Sequence, residues 1–455
     1  MRLLHLSDIH FKSPECLNPQ RYPEVAYRTR LEADLADLCR VDGIRVDAIL
    51  VGGDIAFKGD PDEYKAASAW LLKIAGICGC RPDGIFTVPG NHDVNRKVCE
   101  KPGVSALQQA IAAGTTVFAR DAEFERQLKD VDSARLLFSP LEAYNHFAAP
   151  FDCNVYPDRP FWIHDLELNA DVKLRLFGLT STFISGSGDR DSGPARLFLG
   201  SSQTSLNPEP NVVNLVLCHH PPGWFTDGGE SNNTINARAM LQFFGHEHDQ
   251  RCDRLPAYTR FSAGATNPER DKPGWNPGYN LIDLQVAGEG MARKLEVTGQ
   301  LRRLQPPPQE FYVPLEATKG QPIWRHTMSF EAPSPPLFGD RVTRDPLPVH
   351  HAVTKMAEAA HQAALEAGAE AARRQTDQPP QETTVPGPST QNLAYRYWQL
   401  TGSQMREIAL DLKLMTEADL KVPQEERYSK VLRAAKEKGL VENLARRVKQ
   451  FENKA

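Results

Sequence analysis

Five short polar motifs punctuate the first 250 residues, and each follows an apolar run that is typical of a buried β-strand. The polar residues that end these runs are Asp8 and His10, Asp54, Asn91 to Asp93 with His92 between them, His219 and His220, and His246 and His248. In an open α/β sheet, ligands bind beyond the carboxyl ends of the strands. The pattern therefore predicts an α/β fold in which several strand ends build one site.

Apolar runs alternate with helical segments over residues 1–93. Residues 27–41 and 63–78 have helical spacing of their apolar positions, which indicates a sheet covered on both faces. Residues 94–160 interrupt the alternation with further helical stretches, and we interpret them as a helical insertion that caps the site. From there to about residue 300 most apolar runs, including 237–248, are typical of strands.

Composition narrows the class of protein. A hydrophobic content of 40% and a charged content of 24% are ordinary for a globular protein, and the net charge of −5 argues against a chain dominated by non-specific nucleic-acid binding. No apolar run is long enough for a membrane helix, and Asp8 and His10 interrupt what would be a signal-peptide core. The 8 scattered cysteines are typical of reduced thiols, so we expect a cytoplasmic protein without a membrane association.

The chemistry of the five motifs favours metal binding. Carboxylates, imidazoles and an amide oxygen suit divalent cations such as manganese, iron and zinc. Two such ions can share a bridging carboxylate and a bridging hydroxide, polarise a phosphoryl group and neutralise its developing charge. Each motif alone is weak, since "GNHD" can be a polar turn and His219 a core histidine. Five in one order are a much stronger signal.

The motifs resemble those of calcineurin-like metallophosphoesterases. The family pattern is D-x-H, G-D, G-N-H-[DE], H and G-H-x-H, and here it reads "DIH" at 8–10, "GGD" at 52–54, "GNHD" at 90–93, "HHP" at 219–221 and "GHEH" at 245–248. The resemblance covers residues 1–300. It implies a four-layer αββα sandwich that hydrolyses phosphoesters with two divalent metal ions, for which we expect manganese, with iron, zinc or nickel as alternatives.

The resemblance also implies a role for each matching residue. Asp8, His10 and His248 would hold one metal, Asp54 would bridge both, and Asn91, His219 and His246 would hold the second. His92 would protonate the leaving oxygen or stabilise the transition state, and Asp93 would orient His92. The family spacing of ligand-x-Pro favours His219 over His220, whose role stays open, and Glu247 is unassigned.

The substrate is less constrained than the reaction. "LLHLSDIHF" and "VPGNHDVNR" resemble phosphodiesterase-like and nuclease-like members, whereas Ser/Thr protein phosphatases usually carry "GDxVDRG" and "GNHE". We therefore predict hydrolysis of phosphodiester bonds in nucleic acid or nucleotides. Two alternatives are a Ser/Thr-type protein phosphatase and a catalytically silent adaptor that only binds a partner.

The composition changes after residue 330. We predict a metallophosphoesterase domain over residues 1–330, a Pro/Ala-rich linker over 331–392 that includes an Ala/Glu-rich helix, and a small helical interaction domain over 393–455. "LTGSQMREIALDL" and "AAKEKGLVENLARRV" resemble effector-associated, death-like domains of bacterial conflict systems. That resemblance implies docking onto a partner with a similar helical domain and a role in antiviral defence. The alternative is a generic bundle for dimerisation or solubility, and the oligomeric state stays open.

Overall fold

The computed structural model of the chain describes residues 1–18, 24–186, 197–267, 277–288, 292–305, 311–315, 321–329, 393, 397, 402–415 and 424–452. The strands in this part are β1 Arg2–Leu6, β2 Ala48–Val51, β3 Ile85–Thr87, β4 Trp162–Glu167, β5 Lys173–Leu179, β6 Val212–Cys218, β7 Leu241–Phe244, β8 Arg251–Leu255, β9 Tyr258–Ser262, β10 Gly278–Ala287, β11 Lys294–Leu304, β12 Tyr312–Pro314 and β13 Trp324–Ser329. The α-helices are α1 Glu24–Val41, α2 Pro61–Cys78, α3 Arg96–Cys99, α4 Pro102–Ala112, α5 Val117–Lys129, α6 Val131–Phe138, α7 Glu142–Ala148, α8 Gly228–Arg238, α9 Gly402–Asp411, α10 Gln424–Glu437 and α11 Val441–Glu452.

The strands form two mixed sheets. The first sheet has the order β12-β11-β10-β1-β2-β3, with β13 paired to β11, and β1, β2 and β3 run parallel. The second sheet has the order β4-β5-β6-β7-β9-β8, in which β5, β6, β7 and β9 run parallel. Parallel neighbours place their carboxyl ends on the same edge of a sheet, so each sheet presents one edge where consecutive strand ends can cooperate.

The two sheets pack face to face between helices. Along β6, Leu215 and Leu217 belong to the apolar cluster between the sheets, whereas Val216 lies on the opposite face with Ile235 of α8. This alternation follows from the two-residue period of a strand. Helices α1 and α2 contribute to the larger cluster through residues such as Leu31. The structure confirms the predicted four-layer αββα fold.

The start of α2 fixes the loop that follows β2. Asp60 caps the helix by accepting from the backbone N–H of Asp62, and Glu63 completes a capping box. The buried carboxylate of Glu63 also accepts hydrogen bonds from the backbone N–H groups of Phe57 and Lys58, at 3.1 and 2.9 Å. The helix therefore holds the segment after Asp54 in place.

The helical content of residues 94–160 is confirmed, since α3 to α7 fill it. Its role as a cap over the site stays a prediction. Helix α8 was not predicted, because its sequence "GGESNNTINAR" is polar and has weak apolar periodicity. It forms against the second sheet, where Ile235 is fully buried, so tertiary packing rather than local propensity stabilises it.

The C-terminal segment forms helices, as predicted. Met405, Ile408, Val431 and Leu444 are buried in one apolar cluster that is distinct from the cluster between the sheets. Gly439 ends α10 in the left-handed conformation, with φ at 65°, which matches the predicted helix stop. The predicted linker at 331–392, with its Ala/Glu-rich segment, lies outside the described residues.

All eight cysteines lie in the described part of the chain, and no two of them form a disulfide. Among the helices that the structure describes, none combines the length and the apolar character needed to cross a bilayer.

Candidate metal centre

The predicted site residues converge at the carboxyl ends of five strands. Asp8 and His10 follow β1, Asp54 follows β2, Asn91 and His92 follow β3, His219 follows β6, and His246 and His248 follow β7. The first three strands belong to one sheet and the last two to the other. The site therefore lies where the parallel edges of the two sheets meet.

The backbone at this edge is strained. Nine non-glycine residues in the described part of the chain have a positive φ, and five of them are site residues. These five are Asp8, His10, Asp54, His246 and His248, with φ between 50° and 66°. The left-handed region is unfavourable for residues with a Cβ atom, and such strain collects at functional sites. Here it turns successive side chains after each strand toward one point.

One group of side chains surrounds Asp8. The ligand atoms of Asp8, His10 and His248 lie within 4.8 Å of one another. His248 Nε2 is 3.1 Å from Asp8 Oδ1, and His10 Nε2 is 3.2 Å from Asp54 Oδ2. Burial opposes ionisation of Asp8, but the charge and hydrogen bond of His248 lower its pKa below the ordinary value. These residues offer a compact set of oxygen and nitrogen donors for a divalent cation.

A second group shares Asp54 with the first. His219 Nε2 lies 3.4 Å from Asp54 Oδ2 and 3.2 Å from Asn91 Oδ1. Ring nitrogens of His219, His220 and His246 also lie within 4.8 Å of one another. Asp54 is thus the carboxylate between the two groups, which is where a bridging ligand would lie. The assignment of individual ligands to two ions stays a prediction.

The hydrogen bonding of His219 tests whether these donors fit a cation. His219 Nδ1 is 2.7 Å from the carbonyl oxygen of Gly52, which can only accept, so Nδ1 carries a proton. Its Nε2 then faces Asn91 Oδ1 and Asp54 Oδ2, and these three atoms need a proton or a metal ion among them. Burial opposes a positive charge on His219, yet Asp54 and Asp8 raise its pKa to about 9. A site with this electrostatic potential attracts cations, so the donor set fits the implied metals.

His92 lies at the rim of the site, where its ring is half-buried. Its ring centroid is 4.8 Å from that of His10, and its backbone N–H donates to Asp54 Oδ1 at 2.8 Å. His92 Nδ1 donates to the carbonyl oxygen of Phe57 at 2.9 Å, which leaves Nε2 as the ring atom available to a substrate. This geometry suits the predicted proton transfer.

Asp93 does not orient His92 in the way that the sequence predicted. Its carboxylate accepts hydrogen bonds from the backbone N–H groups of Ile55, Ala56 and Gly90, at 2.8 to 3.2 Å. Tyr64 also donates to it, at 3.0 Å. Burial and the nearby Asp54 raise the pKa of Asp93 to about 7, and the backbone donors oppose that shift. Asp93 therefore joins the loop after β2 to the loop after β3. The carbonyl of Phe57, and not Asp93, holds the ring of His92.

Two residues that the sequence did not single out also reach the site. Ser181 follows β5, and its Oγ is 2.8 Å from His220 Nδ1. The half-buried ring of Trp224 packs edge to face on that of His246, with centroids 4.1 Å apart. Trp224 follows "HHPP" by two residues, so its proximity to the motif was the available signal. A lone serine after a strand carries no comparable signal.

Glycines in the motifs allow the loops to pack this closely. A Cβ atom at Gly90 would lie 2.2 Å from Asp54 Oδ1, and one at Gly245 would lie 2.1 Å from Ser7 Oγ and 3.1 Å from Asp8 Oδ2. No rearrangement of a flexible side chain removes the first clash, because Asp54 is held by its neighbours. The glycine before "NHD" is therefore required by the position of the shared carboxylate.

Comparisons with known proteins agree with this site. Residues 1–250, more than half of the chain, match the family model described as calcineurin-like phosphoesterase. Residues 389–450 match the model of a GTPase-associated adaptor domain, which confirms a C-terminal adaptor domain under that description. No curated protein matches the chain.

Several solved structures are similar at low identity. Vps29 from Chaetomium thermophilum is 10% identical over 72% of this chain and 98% of its own, with a TM-score of 0.29. The phosphoesterase YfcE from E. coli is 15% identical over 69% and 98%, with a TM-score of 0.25. Vps29 from Entamoeba histolytica, solved with zinc, is 10% identical over 73% and 100%, with a TM-score of 0.27. From the family model, its motifs and their convergence, the chain belongs to the calcineurin-like phosphoesterase family.

Proposed function

We propose that the protein hydrolyses phosphodiester bonds of nucleic acid or nucleotides with two divalent metal ions. The observation that carries the proposal is the convergence of six further predicted metal ligands on Asp54, with His92 at the rim. When bound, two divalent ions polarise phosphoryl oxygens, lower the pKa of water and offset negative charge in the transition state. We propose that both ions that support activity are Mn²⁺, the metal expected from the sequence.

The residues at the rim support an anionic ester as substrate. His92 Nε2 is free of the Phe57 carbonyl and can deliver a proton to a leaving oxygen. The half-buried Lys12 lies with its ammonium 4.5 Å from the centroid of Phe57, the ring that stacks on His92. A cation beside the proton donor favours a phosphate group in that position. Trp224, on the side of His246, offers an aromatic surface for a base.

The first experiment measures hydrolysis of bis-p-nitrophenyl phosphate by the purified full chain with Mn²⁺. We expect turnover that chelation abolishes and Mn²⁺ restores. Asp54→Asn should remove activity because the shared carboxylate is lost, whereas Asp171→Asn, at an exposed position, should not. Unreduced activity in Asp54→Asn would show that the site is assigned wrongly.

A substrate panel separates the alternatives. Single-stranded and double-stranded DNA, RNA, cyclic mononucleotides, cyclic dinucleotides and a phosphopeptide are compared at equal concentration with Mn²⁺. Faster turnover of a diester supports the proposal. Phosphopeptide turnover that far exceeds diester turnover would instead identify a protein phosphatase. Fewer than two bound metal ions in excess Mn²⁺, without turnover, would identify a silent adaptor.

We propose further that the C-terminal domain recruits the phosphodiesterase to a cytoplasmic partner with a similar helical domain, in bacterial antiviral defence. The support is the match to an adaptor-domain model and the resemblance of the helices to domains of conflict systems. The test is co-purification with the product of an adjacent gene that encodes such a domain. Arg433→Glu, on the exposed face of α10, should weaken the complex, and a complex formed equally well without residues 393–455 would contradict the role.

A further inference from the structure

His220 is the motif residue to which the sequence assigns no role, and the structure places it inside the site. Its side chain is 1% exposed. Its ring centroid lies 4.6 Å from that of His219 and 4.4 Å from that of His246. His220 Nε2 is 3.1 Å from Asn91 Oδ1, and Nδ1 is 2.8 Å from Ser181 Oγ. Both ring nitrogens therefore have a polar partner.

The partners of the two adjacent histidines require opposite tautomers. His219 Nδ1 faces the carbonyl oxygen of Gly52, so its proton is on Nδ1 and its Nε2 faces the metal centre. A neutral imidazole carries one ring proton, on either nitrogen. Because Asn91 Oδ1 can only accept, that proton is on Nε2. Ser181, which can donate or accept, then donates to Nδ1.

From this chain of hydrogen bonds we infer that His220 is a positioning residue that orients the amide of Asn91 toward the second metal. An asparagine amide can present its oxygen or its NH₂ group in nearly the same place, and only the oxygen binds a metal ion. The N–H of His220 selects the oxygen, and the hydroxyl of Ser181 can donate to Nδ1 of that tautomer. The inference rests on the proposed two-metal site and adds a residue pair to its second half.

His220 can donate to Asn91 without displacing a metal ion from it. Asn91 Oδ1 has two lone pairs, so it can accept from His220 and still bind a cation. Partners that fix the orientation of a ligand in this way commonly change metal affinity 10- to 100-fold when they are removed. Removing His220 should therefore weaken the second metal and leave the first, which Asp8, His10 and His248 would hold.

The test measures Mn²⁺ binding to the full chain by isothermal titration calorimetry, with metal content as a second readout. In His220→Leu we expect the Kd of one Mn²⁺ to rise about 10- to 100-fold, and that of the other to stay within about twofold. His220→Gln keeps an N–H donor and should recover most of the affinity. Ser181→Ala should fall between wild type and His220→Leu. His164→Leu, at a histidine on β4 that binds the carbonyl of Asp152, should change neither Kd.

Activity gives an independent readout. Raising Mn²⁺ should restore diester turnover in His220→Leu, because a weakened site can still be filled. If His220→Gln binds Mn²⁺ as poorly as His220→Leu, or if both metals weaken equally, the positioning role is wrong. The positioning role is also wrong if His220→Leu binds two Mn²⁺ ions as tightly as the wild-type protein does. Wild-type protein that binds fewer than two ions overturns the proposed function itself.

Discussion

Phe57 holds His92 with both its side chain and its main chain. The two rings stack at a centroid distance of 4.9 Å and an angle of 22°, and the carbonyl oxygen of Phe57 accepts from His92 Nδ1 at 2.9 Å. The N–H of Phe57 in turn donates to the buried carboxylate of Glu63. The orientation of His92 thus depends on a backbone segment that α2 anchors.

His92→Ala should lower kcat in proportion to the basicity of the leaving group. General acid catalysis contributes about 10²- to 10⁴-fold when an alkoxide must leave, and much less when the leaving group is already stable as an anion. We therefore expect a large loss with a dinucleotide and a small loss with bis-p-nitrophenyl phosphate. Steady-state kinetics on the two substrates provide the measurement. An equal loss on both would show that His92 does not protonate the leaving oxygen.

Gly90→Ala should remove metal binding without unfolding the protein. The new Cβ would lie 2.2 Å from Asp54 Oδ1 and must displace the shared carboxylate. The matched control is Gly223→Ala, since a Cβ there meets no atom within 4 Å. Metal content and circular dichroism distinguish a lost site from a lost fold. A Gly90→Ala protein with wild-type metal content would contradict the close packing of the two loops.

Arg302→Met should destabilise the fold by about 3 kcal/mol, because it leaves a largely buried carboxylate without its partner. Arg302 binds both carboxylate oxygens of Asp34, at 2.6 and 2.7 Å, and Tyr279 also donates to Asp34. The pair joins α1 to β11. Denaturant unfolding gives the free energy. Arg126→Ala, which removes an exposed pair with Glu123, should leave the unfolding midpoint unchanged.

Acid should destabilise the protein in part through His5. Burial lowers the pKa of His5 from 6.5 to about 3, although Asp8 opposes the shift. Below pH 6.5 the unfolded chain therefore binds a proton that the folded chain does not, and stability falls as the pH decreases toward 3. His5→Gln lacks this titration. The free energy of unfolding of His5→Gln should fall less steeply than that of the wild type between pH 6.5 and 5. The two slopes should differ by up to about 1.4 kcal/mol per pH unit. Parallel pH profiles for the two proteins would exclude this contribution.

The sequence predicted the parts of the site that depend on side-chain type and strand order. Asp8, Asp54 and His246 were found because each ends an apolar run. The family spacing in "HHPP" favoured His219 as the ligand, and that choice stays a prediction. The fold class followed from the alternation of strands and helices.

The remaining features depend on atoms that leave no mark in the sequence. Any residue at position 57 would supply the carbonyl that binds His92, so "IAFKG" could not indicate it. The family resemblance implied that Asp93 orients His92, but its carboxylate satisfies buried N–H groups of two loops. Ser181 reaches His220 only because β5 lies beside β6 in the sheet.

The five left-handed residues of the metal centre have a further consequence for evolution of the fold. Each of these residues costs about 1 kcal/mol relative to ordinary backbone. The metal-free protein therefore carries conformational strain that binding of the cations would offset. A lineage that lost the metals would gain stability by replacing these positions with glycine. Asp54→Gly should accordingly melt at a higher temperature than Asp54→Ala, the reverse of the usual order for these two substitutions. Glycine at position 54, the third residue after β2, would then mark a descendant that has lost the metal centre and kept the scaffold.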